Sequence, residues 1–480
     1  MNQRARTKYS VRSHRTGRHS LGSSISGAAM LLAGTFVLGH ADAAVLQVGP
    51  GKTYSKPCMA IAAAAAGDVI EVDAAGSYSG DTCAWSTDNL TVRGVNGRAK
   101  IDLTGVSPAQ KKGIFTIAAP TATVENFELS GAAISAADGN NGAGIRHQGL
   151  NLTVRGCFFH DNQNGILGSP STAMMGQVLI ENSEFDRNGA GDGFSHNMYL
   201  GNYASFTLRA SYTHRAKVGH LIKSRALVST IVNNRITDES AGSASYEVDL
   251  PNGGTGLVIG NVIEQGSGTM NPNMLAFGEE GTSGYDTHLY VINNTFLNNR
   301  GSGTFVNNTT NTPGVLTNNI FWNGGTVSSQ ASAVQTSNFV APTMGDPMFA
   351  NVAGYDVHLL SGSPCIDKGT APGSAGTQSL VPTAQYVHPT SGESRSVAGT
   401  AIDIGAYEFG NMPMGGSDGG TGGTDSDGGT TGGGGGGGGS TATGCSCDLG
   451  GAGRPAAGVG ITAVWAVALL LWTLRRRRGV

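Results

Sequence analysis

Residues 219–226 read Gly-His-Leu-Ile-Lys-Ser-Arg-Ala, which sets Lys223 two places before Arg225 and three after His220. A guanidinium offers a rigid fork of donors that fits a carboxylate. An amine beside it, its pKa lowered by the neighbouring cation, can act as a base. Those are two of the tasks of β-elimination on a uronate-containing polysaccharide, where a cation neutralises the sugar carboxylate and a base removes the proton at C5. Residues 195–201, 245–251 and 273–281 occupy comparable places in the chain. If the four stretches stack as strands, alternation turns Ile222 and Ser224 in and Lys223 and Arg225 out, since burying an unpaired lysine costs several kcal/mol. By the same alternation Val248, Leu250, Met198 and Leu200 point in, and Glu247, Asp249, Asn197 and Tyr199 point out. The expected catalytic set is Lys223 as base, Arg225 on the carboxylate, and Tyr199 or His220 as proton donor to the leaving oxygen. The expected substrate contacts are Asn197, His196, Glu247, Asp249 and Glu279. Glu247 and Asp249 would hold the cations in place or bind Ca²⁺ weakly through oxygen; no other metal or cofactor is expected. Hydrolysis between two carboxyls such as Glu247 and Glu279 ranks lower, because it gives the Lys-Arg pair no task. A plain cross-strand ladder of ion pairs would contribute only about 0–1 kcal/mol per exposed pair. Other outward positions are expected to carry mostly Ser, Thr and Asn, so concentrated charge favours a site.

The elements that would position these residues follow from a repeat. An apolar residue, a variable one, a small residue or Asn, two variable ones and a closing apolar or aromatic residue recur as VENFEL at 124, VRGCFF at 154, IENSEF at 180, IVNNRI at 231, VIGNVI at 258, VINNTF at 291 and LTNNIF at 316, with weaker copies at 92 and 208. The spacings lie between 23 and 33 residues, the period of a solenoid. Short β-branched runs broken by Gly, Asn and Ser, rather than helix-length amphipathic runs, make each unit three short strands and three turns. Equivalent positions then lie roughly 4.8 Å apart. The recurrent Asn126, Asn182, Asn233, Asn293 and Asn318 would form an internal amide ladder. A solenoid needs covered ends. Residues 55–68, opening Ser-Lys-Pro and running through alanine, predict a short capping helix. Residues 355–370 and 401–410 predict the final half-coils and a closing strand that cap the far end, with Asp367, Asp403 and Glu408 as turn and cap residues.

Both ends of the chain stand apart from this body. Six basic residues, an apolar run and Ala41-Asp42-Ala43 read as a secretory signal over 1–43, cut after Ala43; the absence of a twin-arginine pair points to the general export route. The body divides into 44–324, the coils, and 325–410, the last coils and cap. A Gly/Ser/Thr/Asp-rich linker containing Gly444-Cys445-Ser446-Cys447 fills 411–455. Residues 456–474 are 19 uncharged residues, long enough for one transmembrane helix, and a basic tail over 475–480 would stay cytoplasmic. Without the signal and the tail arginines, 20 Lys and Arg remain against 32 Asp and Glu, near −12. Such a body repels nucleic acid, and no such partner is expected. Of the body's cysteines, Cys58 and Cys83 flank one short loop and are the expected disulfide, while Cys157 reads as buried. Ser195 and His196 are adjacent and would face opposite sides of a strand, so they cannot form a nucleophile–base pair. Zinc-protease, nucleotide-loop and EF-hand motifs are absent.

The opening GPGKTYSKPCMAIAAAAAGDVIEVDAAGSY, the coils and the closing DIGAYE resemble the pectate-lyase-like superfamily of extracellular proteins. The resemblance implies an all-β, right-handed parallel β-helix of about nine to ten coils. It covers about 44–409. The order of linker, GCSC, apolar helix and RRRR is similar to the C-terminal sorting signal of myxobacterial surface proteins, which implies Cys445 or Cys447 as the anchoring position and the sorting machinery as a partner. Arg-x-Pro-x-x-Arg, Asp-Pro-His-Asp and Asn-Thr-Asp motifs of β-helix enzymes are missing, so no activity transfers residue by residue. The expectation is an exported protein, tethered to the inner membrane or passed to the cell surface, that acts on extracellular polysaccharide by β-elimination. The alternative is a non-catalytic surface protein that binds cell-surface glycan.

Overall fold

The computed structural model describes residues 43–168 and 176–411. The signal segment up to residue 42, most of the linker with Cys445 and Cys447, the apolar stretch 456–474 and the basic tail lie outside the described residues. Among the described residues no helix is long and apolar enough to cross a membrane. The chain winds into a parallel β-helix whose three sheets hold twelve, ten and ten strands. Each complete turn contributes one strand to each sheet, and every coil strand pairs in parallel with its counterparts one turn away. The repeat anchors fall in register: Val92, Val124, Val154, Ile180, Leu208, Ile231, Val258, Val291 and Leu316 form one continuous row on the twelve-stranded sheet. All nine point into the core at 0% exposure. Loops of different length between the strands absorb the variable period without disturbing that row.

An internal amide ladder is present, mainly one residue further on than expected, although of the expected set Asn318 Nδ2 does donate to Asn293 Oδ1 at 3.2 Å. Asn126, Asn182, Asn233, Asn293 and Asn318 take left-handed backbone at φ 51–59° and make the corner between the twelve-stranded sheet and its neighbour. Asparagine tolerates that conformation better than other residues with a Cβ. The following residue points inward. Asn234, Asn261, Asn294, Asn319 and Asn338 form the ladder, each Nδ2 donating to the next Oδ1 at 3.0 Å. Each of those oxygens also accepts the preceding rung's backbone N–H at 2.9 Å. Ser211, Ser183 and Cys157 fill the same row upstream. Asn261→Ala strips two donors of their acceptor in a dry core, so about 2–4 kcal/mol of stability should be lost. Asn233→Gly, at a corner that glycine adopts freely, should stay within about 1 kcal/mol. Denaturant unfolding of the two variants checks the difference.

The expected N-terminal cap is the helix Pro57–Ala63, with proline in its first turn and Pro57, Ala60 and Ile61 buried on the first coil. Cys58 on that helix is bonded to Cys83 on the strand Cys83–Trp85, the predicted disulfide. Cys157 is buried and unpaired, as expected, and so is Cys365. The last coil strand ends at Val340, after which three antiparallel pairs between residues 349 and 394 fold back against the coils. Here Arg395 and Glu408, each 1% exposed at the side chain, pair at 3.1 Å. Asp367 accepts the backbone N–H groups of Thr400 and Ala401, and Asp403 those of Asp367 and Phe409. These three acids close turns of the cap, as predicted, but residues 401–410 form bends and turns in place of the expected closing strand.

Candidate functional site

The stretches that alternation paired do stack, on one ten-stranded sheet. Tyr199 is in register with Lys223, and Lys223 with Asp249. The row continues upstream through Leu167 to Arg146. Lys223 Nζ lies 2.7 Å from Asp249 Oδ2 and 3.0 Å from Glu280 Oε1, and Glu280 Oε2 takes Arg225 Nη2 at 2.5 Å. Arg225 Nε donates to the Tyr199 hydroxyl at 2.7 Å, and its Nη1 donates to Asn252 Oδ1. The Tyr199 oxygen thus accepts from a guanidinium, which leaves its own proton free to be donated elsewhere.

Two of the expected outward residues face the interior. Asn197 and Glu247 are each 0% exposed. Both sit on a backbone bend one residue before the strands Met198–Leu200 and Val248–Leu250, so period-2 alternation has not begun there. Asn197 belongs to a second run of buried amides, accepting from Asn188 Nδ2 at 3.0 Å and donating to His214 O at 2.8 Å. Glu247 has two buried oxygens without hydrogen-bond partners among the described residues. Burial, then the nearby Asp238 and Glu264, push its carboxyl well above the ordinary range. Burial also pushes Asp238 to about 8. Glu247 and Asp249 therefore lie on opposite faces and do not converge on a shared Ca²⁺, and Glu247 cannot flank a glycosidic bond with Glu279. Among the described residues no group of three or more His, Cys, Asp or Glu side chains is arranged to hold a metal ion.

His196 and His220 are buried and stacked at 4.4 Å. His196 Nδ1 accepts the His220 backbone N–H at 3.0 Å, and burial holds its ring down to about 3. His220 Nε2 stands 3.5 Å from Asp249 Oδ2. Burial, then His196 and the two cations, depress His220 too, so it is neutral and lies beneath the carboxylate instead of facing solvent. Glu279 accepts from the Tyr246 hydroxyl at 2.6 Å and from Asn273 Nδ2 at 3.3 Å; the neighbouring Glu280, absent from the sequence reading, joins the cations. Burial lowers the Lys223 ammonium, but Asp249 and Glu280 more than offset it, so its pKa stands above the ordinary lysine value. The lowering expected from Arg225 is overturned by those two carboxylates. Asp249 is raised to about 6, by burial first, with Lys223 opposing.

Charge is less concentrated here than the sequence suggested. On the twelve-stranded sheet Glu71, Arg93, Glu125, Arg155, Glu181 and Arg209 stack in register, with ion pairs along most of that row. Its arginines are 42–54% exposed, whereas the Lys223 and Asp249 side chains are 10% and 3% exposed. Exposed pairs contribute little; withdrawing charges from water is costly and marks the second set as different.

A cavity of about 420 Å³ opens beside Tyr199, bounded by Arg146, Leu167, Asn202 and Arg225, with Phe194 at its edge. Phe194 is 81% exposed. Arg146 has a buried Nε without a hydrogen-bond partner, and no carboxylate pairs with it among the described residues. The sequence reading missed it, although Ala143–His147 lies between anchors two coils before Tyr199.

No protein-family model matches the chain, and no curated protein sequence does. Among solved structures it is similar to pectate lyase Pel9A at 16% identity and a TM-score of 0.53, over 77% of this chain and 97% of that one. A pectin methylesterase from Aspergillus niger aligns at 11% identity over 63% of this chain and 88% of that one, with a TM-score of only 0.21. The first likeness establishes the shared parallel β-helix fold.

Proposed function

We propose that this protein, wound in the right-handed sense that parallel crossovers favour, binds a uronate-containing polysaccharide along the Arg146–Asp249 row and cleaves it by β-elimination. The observation that carries the proposal is Arg146: a half-buried guanidinium without a counter-charge, lining the same cavity as Tyr199 and Arg225. Three rungs separate Arg146 from Lys223, roughly 14 Å along the axis. That span lets Arg146 hold one sugar carboxylate while Arg225, exchanging Glu280 for substrate, holds another further along the same chain. Lys223 in its amine form takes the proton from C5. The electron pair forms the C4–C5 double bond as the C4–O bond breaks, and Tyr199 protonates the departing oxygen. Asp249 and His220 position Lys223. The Cys58–Cys83 disulfide supports an exported protein, since such bonds persist in oxidising compartments. Membrane anchorage and sorting through Cys445 or Cys447 belong to the same proposal.

The test is incubation with polygalacturonate, alginate and glycosaminoglycans while following the ultraviolet absorbance of unsaturated uronates. Absorbance growing with one of them supports elimination; binding without growth of absorbance on any of them supports the second reading, a glycan-binding surface protein. That reading is favoured by the Lys223–Glu280–Arg225 network, in which both cations already have partners.

A further inference from the structure

A second pocket, of about 320 Å³, lies between the other ten-stranded sheet and the C-terminal cap. Arg235 forms its floor, on the strand Arg235–Thr237 and in register with Tyr212 one coil before. The cap brings Tyr355, Tyr386 and Tyr407 over it, together with His358 and His388. The guanidinium carbon of Arg235 lies 4.7 Å from the Tyr355 ring centroid and 5.6 Å from that of Tyr212.

Arg235 is only 7% exposed, yet it has no carboxylate within ion-pair distance among the described residues. Its Nη1 donates to the Tyr355 carbonyl at 2.9 Å, and its Nε is buried without a partner. Asp356 at the rim is taken by His358 Nδ1 at 2.6 Å. The cap's own buried arginine, Arg395, has Glu408 as its counter-charge. A buried guanidinium without a close counter-charge is costly. Its Nη2 carries no hydrogen bond among the described residues on a side chain that lines the pocket, so an anionic ligand there would supply the missing partner. Tyr386 and Tyr407 are 2% and 7% exposed, and Tyr407 already carries His358 stacked at 3.9 Å. The half-buried Tyr355 is therefore the ring left for a sugar's C–H edge, while His358 Nε2, His388 Nε2 and Glu393 Oε2 around the rim, without hydrogen bonds among the described residues, remain for hydroxyl groups. An aromatic carboxylate of the same size would leave those rim groups unmatched.

We propose that this pocket is a non-catalytic site for one uronic-acid residue, with the carboxylate on Arg235 and the ring against Tyr355. It would hold a strand of acidic polysaccharide on a face separate from the Lys223 groove. The inference does not rest on the elimination reaction, because an inactive protein would bind here equally well.

The test is calorimetric titration of the protein with galacturonate and glucuronate, with galactose and glucose as neutral controls and benzoate as an aromatic acid. An Arg146→Gln/Arg225→Gln background removes the other groove's carboxylate contacts. Binding of a uronate should persist in that background and weaken at least tenfold on adding Arg235→Gln, with neutral sugars and benzoate bound at least tenfold more weakly. Because Arg235→Gln could loosen the cap, the wild-type ring signals of His358 and His388 are followed by NMR in the same titration, and they should shift with uronate. Uronate binding that is absent from the Arg146→Gln/Arg225→Gln background, unchanged by Arg235→Gln, equalled by benzoate, or unaccompanied by histidine shifts overturns the proposal. Failure of elimination with these results intact would sink only the catalytic reading.

Discussion

Lys223→Ala will lower the rate of uronate elimination by about 10²–10⁴-fold, the usual worth of a positioned general base, while leaving affinity for the polysaccharide within a few-fold. The pH profile carries the sharper signature. Asp249 and Glu280 hold the Lys223 pKa above the ordinary lysine value, so the amine form grows with rising pH, and activity should climb through the alkaline range without a plateau near neutrality. Glu280→Gln removes one of the two carboxylates that favour the ammonium. Its profile should move toward lower pH, with more activity near neutrality than wild type. An initial-rate series across pH with both variants checks the assignment. A flat profile, or a Lys223→Ala protein as active as wild type, would remove Lys223 as the base.

The largest effect on stability is expected at the other end of the molecule. Glu408→Ala leaves Arg395 buried with only the carbonyls of Asp403 and Gly405. Breaking one side of a buried ion pair costs about 3–5 kcal/mol. It also deprives the Asp403 backbone N–H of its acceptor, so the double variant Arg395→Met/Glu408→Leu should recover only part of the loss. Thermal unfolding measures both variants. Single-variant stability within 1 kcal/mol of wild type would mean that the cap contributes little to the coils beneath it.

The fold was largely legible because the core of a solenoid is written as a repeated row, and the apolar anchors from Val92 to Leu316 mark it directly. Which of two adjacent asparagines points inward was not legible. Asn233 and Asn234 differ only in backbone conformation, and the left-handed corner that decides between them leaves no mark in periodicity. The same limit displaced Asn197 and Glu247, because alternation was counted through a bend. Tyr199, Lys223, Arg225 and Asp249 were brought together correctly, since all lie within or just after their strands. Glu280 escaped because it sits in a loop beyond the strand Asn273–Phe277, where no spacing rule applies. Arg146 could have been found by extending the stacking two coils upstream. The Arg235 pocket could not, because a non-repeating cap builds half of it, and nothing in the coils announces where that cap will lie.

The paired amides running from Asn234 to Asn338 give way upstream to single hydroxyls and a thiol, and the changeover has a mechanical side. Each solenoid turn leans only on its neighbours, and the load passes at that point from one corner of the coil to another, because Asn162, Asn188 and Asn197 carry a second run of paired amides through the upstream turns. The handover falls between the turn that carries Lys223 and the turn that carries Asp249, so the ammonium and its carboxylate are held by turns braced at different corners.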